Sequence, residues 1–137
     1  DNLSLPALKD TALGVISTQT WSPDMDNDMN RRFVADYKAQ FGGYPSFYAA
    51  QAYDTMMAID HAVAKAGNAD TDAMRAALAA GGIPTTRGPL AMNSNQFPIQ
   101  NVYIREAVLD ADGVATTKII GTVFENHADA YAKDCQF

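Results

Sequence analysis

Two histidines, one cysteine and a run of acids are the residues from which this sequence would have to build a metal site or a nucleophilic centre, and their spacing builds neither. Asp24-Met25-Asp26-Asn27-Asp28 opens like a calcium loop. Met29, however, stands sixth, where the turn needs glycine, and Ala35 stands twelfth, where a bidentate Glu closes the coordination sphere. The acids suit a helix start instead, where unpaired N–H groups carry partial positive charge. His61 adjoins Asp60, and adjacent helical positions face apart, while His127 is remote in sequence. No H-E-x-x-H, C-x-x-C, phosphate-cradling glycine loop or G-x-S-x-G occurs, so metal, phosphoryl-transfer and serine-hydrolase chemistry lack their usual residues. No catalytic residue, metal or cofactor is assigned, and an enzyme with scattered residues is the least favoured alternative.

Tyr48 falls at the amino end of a predicted long helix, where the dipole and free donors favour an anionic group. The same ring could instead staple the start of the helix to the preceding chain. Arg87-Gly88 reads as a turn that needs glycine more readily than as an anion clamp, although a guanidinium near a cleft can bind a carboxylate. Tyr53-Asp54 reads as a packing pair, because Tyr53 lies on an apolar stripe.

Periodicity and punctuation predict the elements that hold these residues. Gly14-Val15-Ile16-Ser17-Thr18, a β-branched run after a glycine, predicts a short buried strand. Residues 19–23 follow as turn chemistry around Trp21. Residues 24–41 set Met29, Phe33, Tyr37 and Phe41 at steps of four, which predicts a helix with one apolar face, closed by Gly42-Gly43. Ser46 caps a helix over 47–66 that stops at Gly67, and its many alanines let it lie close to a neighbour. A third helix is predicted over 71–80, capped by Asp70 or Thr71. From Ile83-Pro84 the pattern becomes extended, with an edge strand at 88–92 because Pro89 cannot donate to a central ladder. Strands at 102–109 and 114–124 flank Asp110-Ala111-Asp112-Gly113, a hairpin signal, and one or two helical turns are expected within 127–135.

At 137 residues and 47% apolar content, the chain is sized for one compact domain. Acids outnumber bases 16 to 10 for a net charge of −6, so it lacks the basic face that nucleic acid or an anionic membrane requires. No run approaches the roughly 18 continuous apolar residues of a bilayer span. One strand, three helices and a hairpin form an odd inventory, because so few strands cannot cover two amphipathic helices and also close their own edges. The chain starts at Asp1 with no basic-then-apolar leader, so it is expected either to be processed or to begin inside a larger polypeptide, and first residues that read as the end of an element favour the second. Cys135 is either a free thiol or half of a disulfide completed upstream, and both readings stay open.

Several short motifs follow one another along nearly the whole chain. Gly14-Val15-Ile16-Ser17-Thr18 precedes Trp21-Ser22-Pro23, and Phe33-Val34-Ala35-Asp36-Tyr37-Lys38 leads into Phe41-Gly42. Next come Pro45-Ser46-Phe47-Tyr48-Ala49-Ala50-Gln51-Ala52-Tyr53-Asp54, Thr86-Arg87-Gly88-Pro89-Leu90 and Pro98-Ile99-Gln100-Asn101-Val102-Tyr103. Each is weak alone, but their order and spacing resemble the type I periplasmic solute-binding proteins of branched-chain amino acid, amide and aromatic-acid uptake.

The resemblance implies the carboxy-terminal part of a bilobed α/β protein, whose Rossmann-like lobes are joined by three chain crossings and close on a ligand. Residues 1–20 would end the second lobe and form a hinge strand, 21–86 would be a helical segment of the first lobe, and 87–137 would return to the second with a β-hairpin. The implied function is that of the extracytoplasmic, periplasmic component of an ABC importer. It would capture a small amino acid, amide, organic or aromatic acid and present it to a membrane permease, and a ligand-sensing regulatory domain of the same fold is the alternative. An aromatic that lines the interlobe cleft in the family corresponds to Tyr48, with Phe47 and Gln51 as neighbours. Trp21 follows the hinge and either walls the same cleft or covers the lobe junction. A chain divided in this way is expected to dimerise or exchange segments to cover its exposed core.

Overall fold

The structure is a computed structural model that describes residues 1–135. A short helix, α1 (Leu5–Leu8), runs through a 3₁₀ turn (Lys9–Ala12) into strand β1 (Ile16–Gln19). Three helices follow, α2 (Asp28–Phe41), α3 (Phe47–Ala66) and α4 (Thr71–Ala79). The chain then forms β2 (Ala91–Met92), β3 (Pro98–Leu109) and β4 (Ala115–His127), and a 3₁₀ turn (Ala132–Asp134) comes last among the described residues.

Local chemistry sets the helix limits. Asn27, Ser46 and Asp70 sit in extended backbone and accept the N–H of the residue three positions on, at 2.9, 3.1 and 2.9 Å. Gly42 and Gly67 end α2 and α3 at φ 76° and 71°, a left-handed conformation that glycine reaches without steric cost. The predicted first turn of α2 is absent. Asp24 is engaged elsewhere, because its carboxylate accepts the Ile119 N–H of β4 at 2.9 Å, and the helix waits for the Asn27 cap.

Strand β3 is the middle of the sheet. β4 runs antiparallel to it from Leu109↔Ala115 to Gln100↔His127, β1 pairs with it from Ile16↔Glu106 to Gln19↔Tyr103, and β2 meets its first two residues. The hairpin turn forms as predicted, with Gly113 at φ 77° and its N–H on the Asp110 carbonyl at 3.0 Å. The predicted edge strand shrinks to β2, because Thr85 to Gly88 close into a turn in which Gly88 takes φ 93°. The expectation of a buried first strand is corrected. Val15 and Ile16 are 55% and 54% exposed, since β1 pairs only with β3 and no described element covers those side chains.

The core lies between the sheet and the helices. Trp21, Met25, Phe33, Val34 and Ala50 are buried together, and Tyr37, Phe47, Tyr53, Tyr103 and Ile119 pack around them. Phe33 meets Trp21 edge-on at 6.2 Å and Tyr53 at 4.9 Å between ring centres. A polar hub stands inside this apolar cluster. The buried Asn30 amide accepts the Trp21 indole N–H at 2.8 Å and donates to the carbonyls of Pro23 and Met25 at 3.0 Å each, with Ser22 at 3.4 Å. One side chain thereby pins the loop between β1 and α2. Asn30→Ala leaves these groups buried without a partner and is expected to cost about 2–3 kcal/mol. A urea unfolding curve followed through Trp21 should show a lowered midpoint with an unchanged slope.

The hairpin turn carries its own electrostatic tie. The Asp110 carboxylate accepts the N–H groups of Val114 and Asp112 at 2.8 and 2.9 Å and the Tyr44 hydroxyl at 2.8 Å, with Lys38 at 3.7 Å. The Val114 N–H foremost, with the Tyr44 hydroxyl, holds its carboxyl below the usual carboxylate range. A group depressed in the folded state binds protons better when unfolded, so its contribution is whole above the ordinary carboxylate pKa and is lost as pH falls through the lower folded value. The amide signals of Gly113 and Val114 should therefore move on acidification below about pH 4. In Asp110→Asn those two signals should stay in place over the same range.

Candidate ligand-binding site

Helix α3 presents the predicted recognition residues within its first turn and a half. Ser46 binds the Ala49 N–H, which leaves the earliest N–H groups of the helix without intrahelical acceptors. Phe47 turns inward against the core, whereas Tyr48 is 68% exposed and touches Phe47 edge-on with ring centres 5.7 Å apart. Such exposure does not suit a ring that staples the helix start. Gln51, one turn on, is also exposed, and Ala50 lets the helix approach the core closely. The result is an aromatic and an amide beside the positive end of a 20-residue helix, an arrangement fit to receive an anionic or polar group on a flat apolar body.

Trp21 stands apart from these three. Only 1% of it is exposed and its indole N–H is committed to Asn30, while of the three Phe47 packs against the core cluster to which Trp21 belongs. Its backbone is also held. Arg105 of β3, buried, donates from Nη1 to the Trp21 carbonyl at 3.0 Å and from Nη2 to Ser17 Oγ at 3.4 Å. Burial pushes the Arg105 guanidinium below its usual pKa, and the charge of Asp24 opposes that shift.

One turn beyond Gln51 lies a constellation that sequence reasoning missed. Asp54, 3% exposed, accepts the Thr86 N–H at 2.6 Å, the Thr86 hydroxyl at 3.1 Å and Arg87 Nε at 3.1 Å. Arg87 Nη1 donates in turn to Gln100 Oε1 of β3, and Asn27, the α2 cap, donates to the Thr86 carbonyl at 2.9 Å. The reading of Tyr53-Asp54 as a packing pair therefore holds for Tyr53 and is corrected for Asp54. Arg87 does clamp a carboxylate, but that carboxylate belongs to the protein. An ionisable residue in an alanine-rich helix was the available signal, because such a group is buried only when paired.

Asp54, Arg87 and Gln51 line one groove of about 390 Å³ with Ile83 and Leu90. A smaller polar cavity of about 120 Å³ lies on the other side of Arg87, between Thr20, Gln100, Asn101 and Tyr103. Among the described residues, no group of three or more His, Cys, Asp or Glu could hold a metal ion, and no helix is long and apolar enough to cross a membrane. Removing Asp54 strands the Arg87 charge, so Asp54→Ala should cost about 3–5 kcal/mol in chemical denaturation. Asp54→Asn retains an acceptor for Thr86 and should cost less.

Comparison with known proteins places these observations in a family. The family model described as periplasmic binding protein matches residues 1–113. The Leu/Ile/Val-binding protein homolog 6 of Brucella abortus (strain 2308) is 35% identical over 130 residues, covering 91% of this chain and 33% of the relative. A solute binding protein of an ABC transporter from Rhodopseudomonas palustris BisB5, solved in complex with 3,4-dihydroxy benzoic acid, superposes with a TM-score of 0.82 at 32% identity, over 95% of this chain and 36% of that one. A second R. palustris solute binding protein, in complex with benzoate, gives a TM-score of 0.82 at 26% identity over 95% and 35%. The chain thus spans about a third of the length of these relatives.

Proposed function

We propose that this chain, which belongs to the periplasmic binding protein family, serves as part of the substrate-binding component of an ABC importer outside the cytoplasm. The single observation that carries this reading is the superposition over 95% of the chain on an ABC transporter solute binding protein at 32% identity. The solute is a small organic acid or amino acid, in keeping with the benzoates bound by the R. palustris proteins and the name of the Brucella relative. It lies between two lobes that close upon it, and the closed form is presented to a membrane permease. Residues 1–20 and 87–137, of which 136 and 137 lie outside the described residues, belong to one lobe and 21–86 to the other. Tyr48 and Gln51 touch the solute, Phe47 backs Tyr48, and Trp21 supports Phe47 from within the core. The exposure of Tyr48 at the start of α3 supports this assignment. Dimerisation or segment exchange, expected from the sequence, has no support among the comparisons and forms no part of the proposal.

A graft provides the test. The chain replaces the matching third of the R. palustris protein solved with 3,4-dihydroxybenzoic acid, and 3,4-dihydroxybenzoate, benzoate and leucine are titrated by calorimetry. A cooperatively melting chimera should bind at least one of the three, and Tyr48→Ala should weaken that binding about tenfold, or about 1.4 kcal/mol. A folded chimera that binds none would reject the proposal, and an unchanged affinity in the variant would remove Tyr48 from the site.

A further inference from the structure

We infer that Arg87 is a positioning residue, which fixes the angle between α3, the carrier of Tyr48 and Gln51, and β3, by holding Asp54 with Nε and Gln100 with Nη1. The inference deepens the reading proposed above, since it concerns what aims that site. Three observations carry it.

The first is that Arg87 spans two elements that also contribute to one apolar cluster, through Ala50 of α3 and Tyr103 of β3, and apolar contact has no preferred direction. A planar guanidinium does have one, because its donors leave a rigid fork at set angles. The second is that the fork is itself anchored. Its side chain is 12% exposed, and the preceding residue, Thr86, is held at its N–H by α3 and at its carbonyl by the cap of α2. The third is the cavity of about 120 Å³ beside it, lined by Thr20, Gln100, Asn101, Tyr103 and Asn126. An open polar cavity resists rotation less than close-packed side chains do, so the angle there rests on the guanidinium.

The two bonds differ in kind. Asp54 gives Arg87 a buried, charge-assisted partner, whereas Gln100 gives it a neutral amide oxygen. The Gln100 bond is therefore the weaker joint, and loosening it frees α3 to swing relative to β3 without unfolding either. A solute that contacts both parts would then meet the competent geometry in a smaller fraction of molecules and bind more weakly by that fraction.

Residual dipolar couplings of the chain in a weakly aligned medium test this without any solute, so the outcome is independent of the transport proposal. In the wild type, one alignment frame should fit the amides of α3 and β3 together. Gln100→Leu should break the common frame, with α3 rotated or its couplings reduced relative to β3, while each element still fits its own frame and the melting temperature shifts by no more than a few degrees. Gln100→Glu, which keeps an acceptor and adds a charge, should restore the common frame. Arg87→Lys, with one ammonium in place of the fork, should behave like Gln100→Leu. A common frame retained in both Gln100→Leu and Arg87→Lys would overturn the inference, as would loss of the frame only in step with general melting.

Discussion

A carboxylate enclosed by protein must be answered by donors, and Asp54 imposes that demand on the middle of this molecule. An ionised group with 3% of its surface exposed is tolerable only when its lone pairs are occupied and its charge is matched. The backbone and hydroxyl of Thr86 and the guanidinium of Arg87 do this together, and each is drawn from a segment more than 30 residues away. Meeting the demand fixes where the chain turns after α4. It also fixes where β3 begins relative to α3, because Arg87 continues on to Gln100.

The same logic recurs at a neutral hub. Asn30 sits among aromatic rings, and its amide is saturated by the Trp21 indole and the carbonyls of the loop it faces. The apolar core around it is modest, and much apolar surface stays outside, on Val15 and Ile16 of the first strand region and on Met56 and Ile59 of α3. Apolar burial draws elements together without choosing an angle, whereas saturated polar hubs tolerate few geometries. In this chain the hubs do much of the choosing. The inward turn of Phe47 and the outward turn of Tyr48 follow from how α3 is seated on that core.

Much of the architecture was legible because its causes are local. Helix α3 spans the predicted residues, since Ser46 and Gly67 act within one turn of its ends. The hairpin turn was legible for the same reason, its carbonyl and amide lying three residues apart. Errors arose where a residue with a strong local preference was claimed from afar. Asp24 suits a helix start but is taken by the Ile119 N–H, so α2 begins later than the pattern suggests. Ile16 and Val15 read as buried because they are apolar and β-branched, yet burial requires a covering element, and among the described residues none arrives.

The sequence by itself determined the order of elements, the caps of α3 and α4, the hairpin turn, the acidic balance, and Tyr48 at the head of a helix, all of which depend on neighbours within a few positions or on composition. Only the tertiary structure decided that Trp21 faces inward, that Asp54 is a tie where its sequence neighbour Tyr53 packs on Phe33, and that Arg87 joins α3 to β3. The physical reason is that the environment of a side chain is made by whichever distant segments reach it. The same carboxylate on the same helix would be a solvated surface group if Thr86 and Arg87 were folded elsewhere.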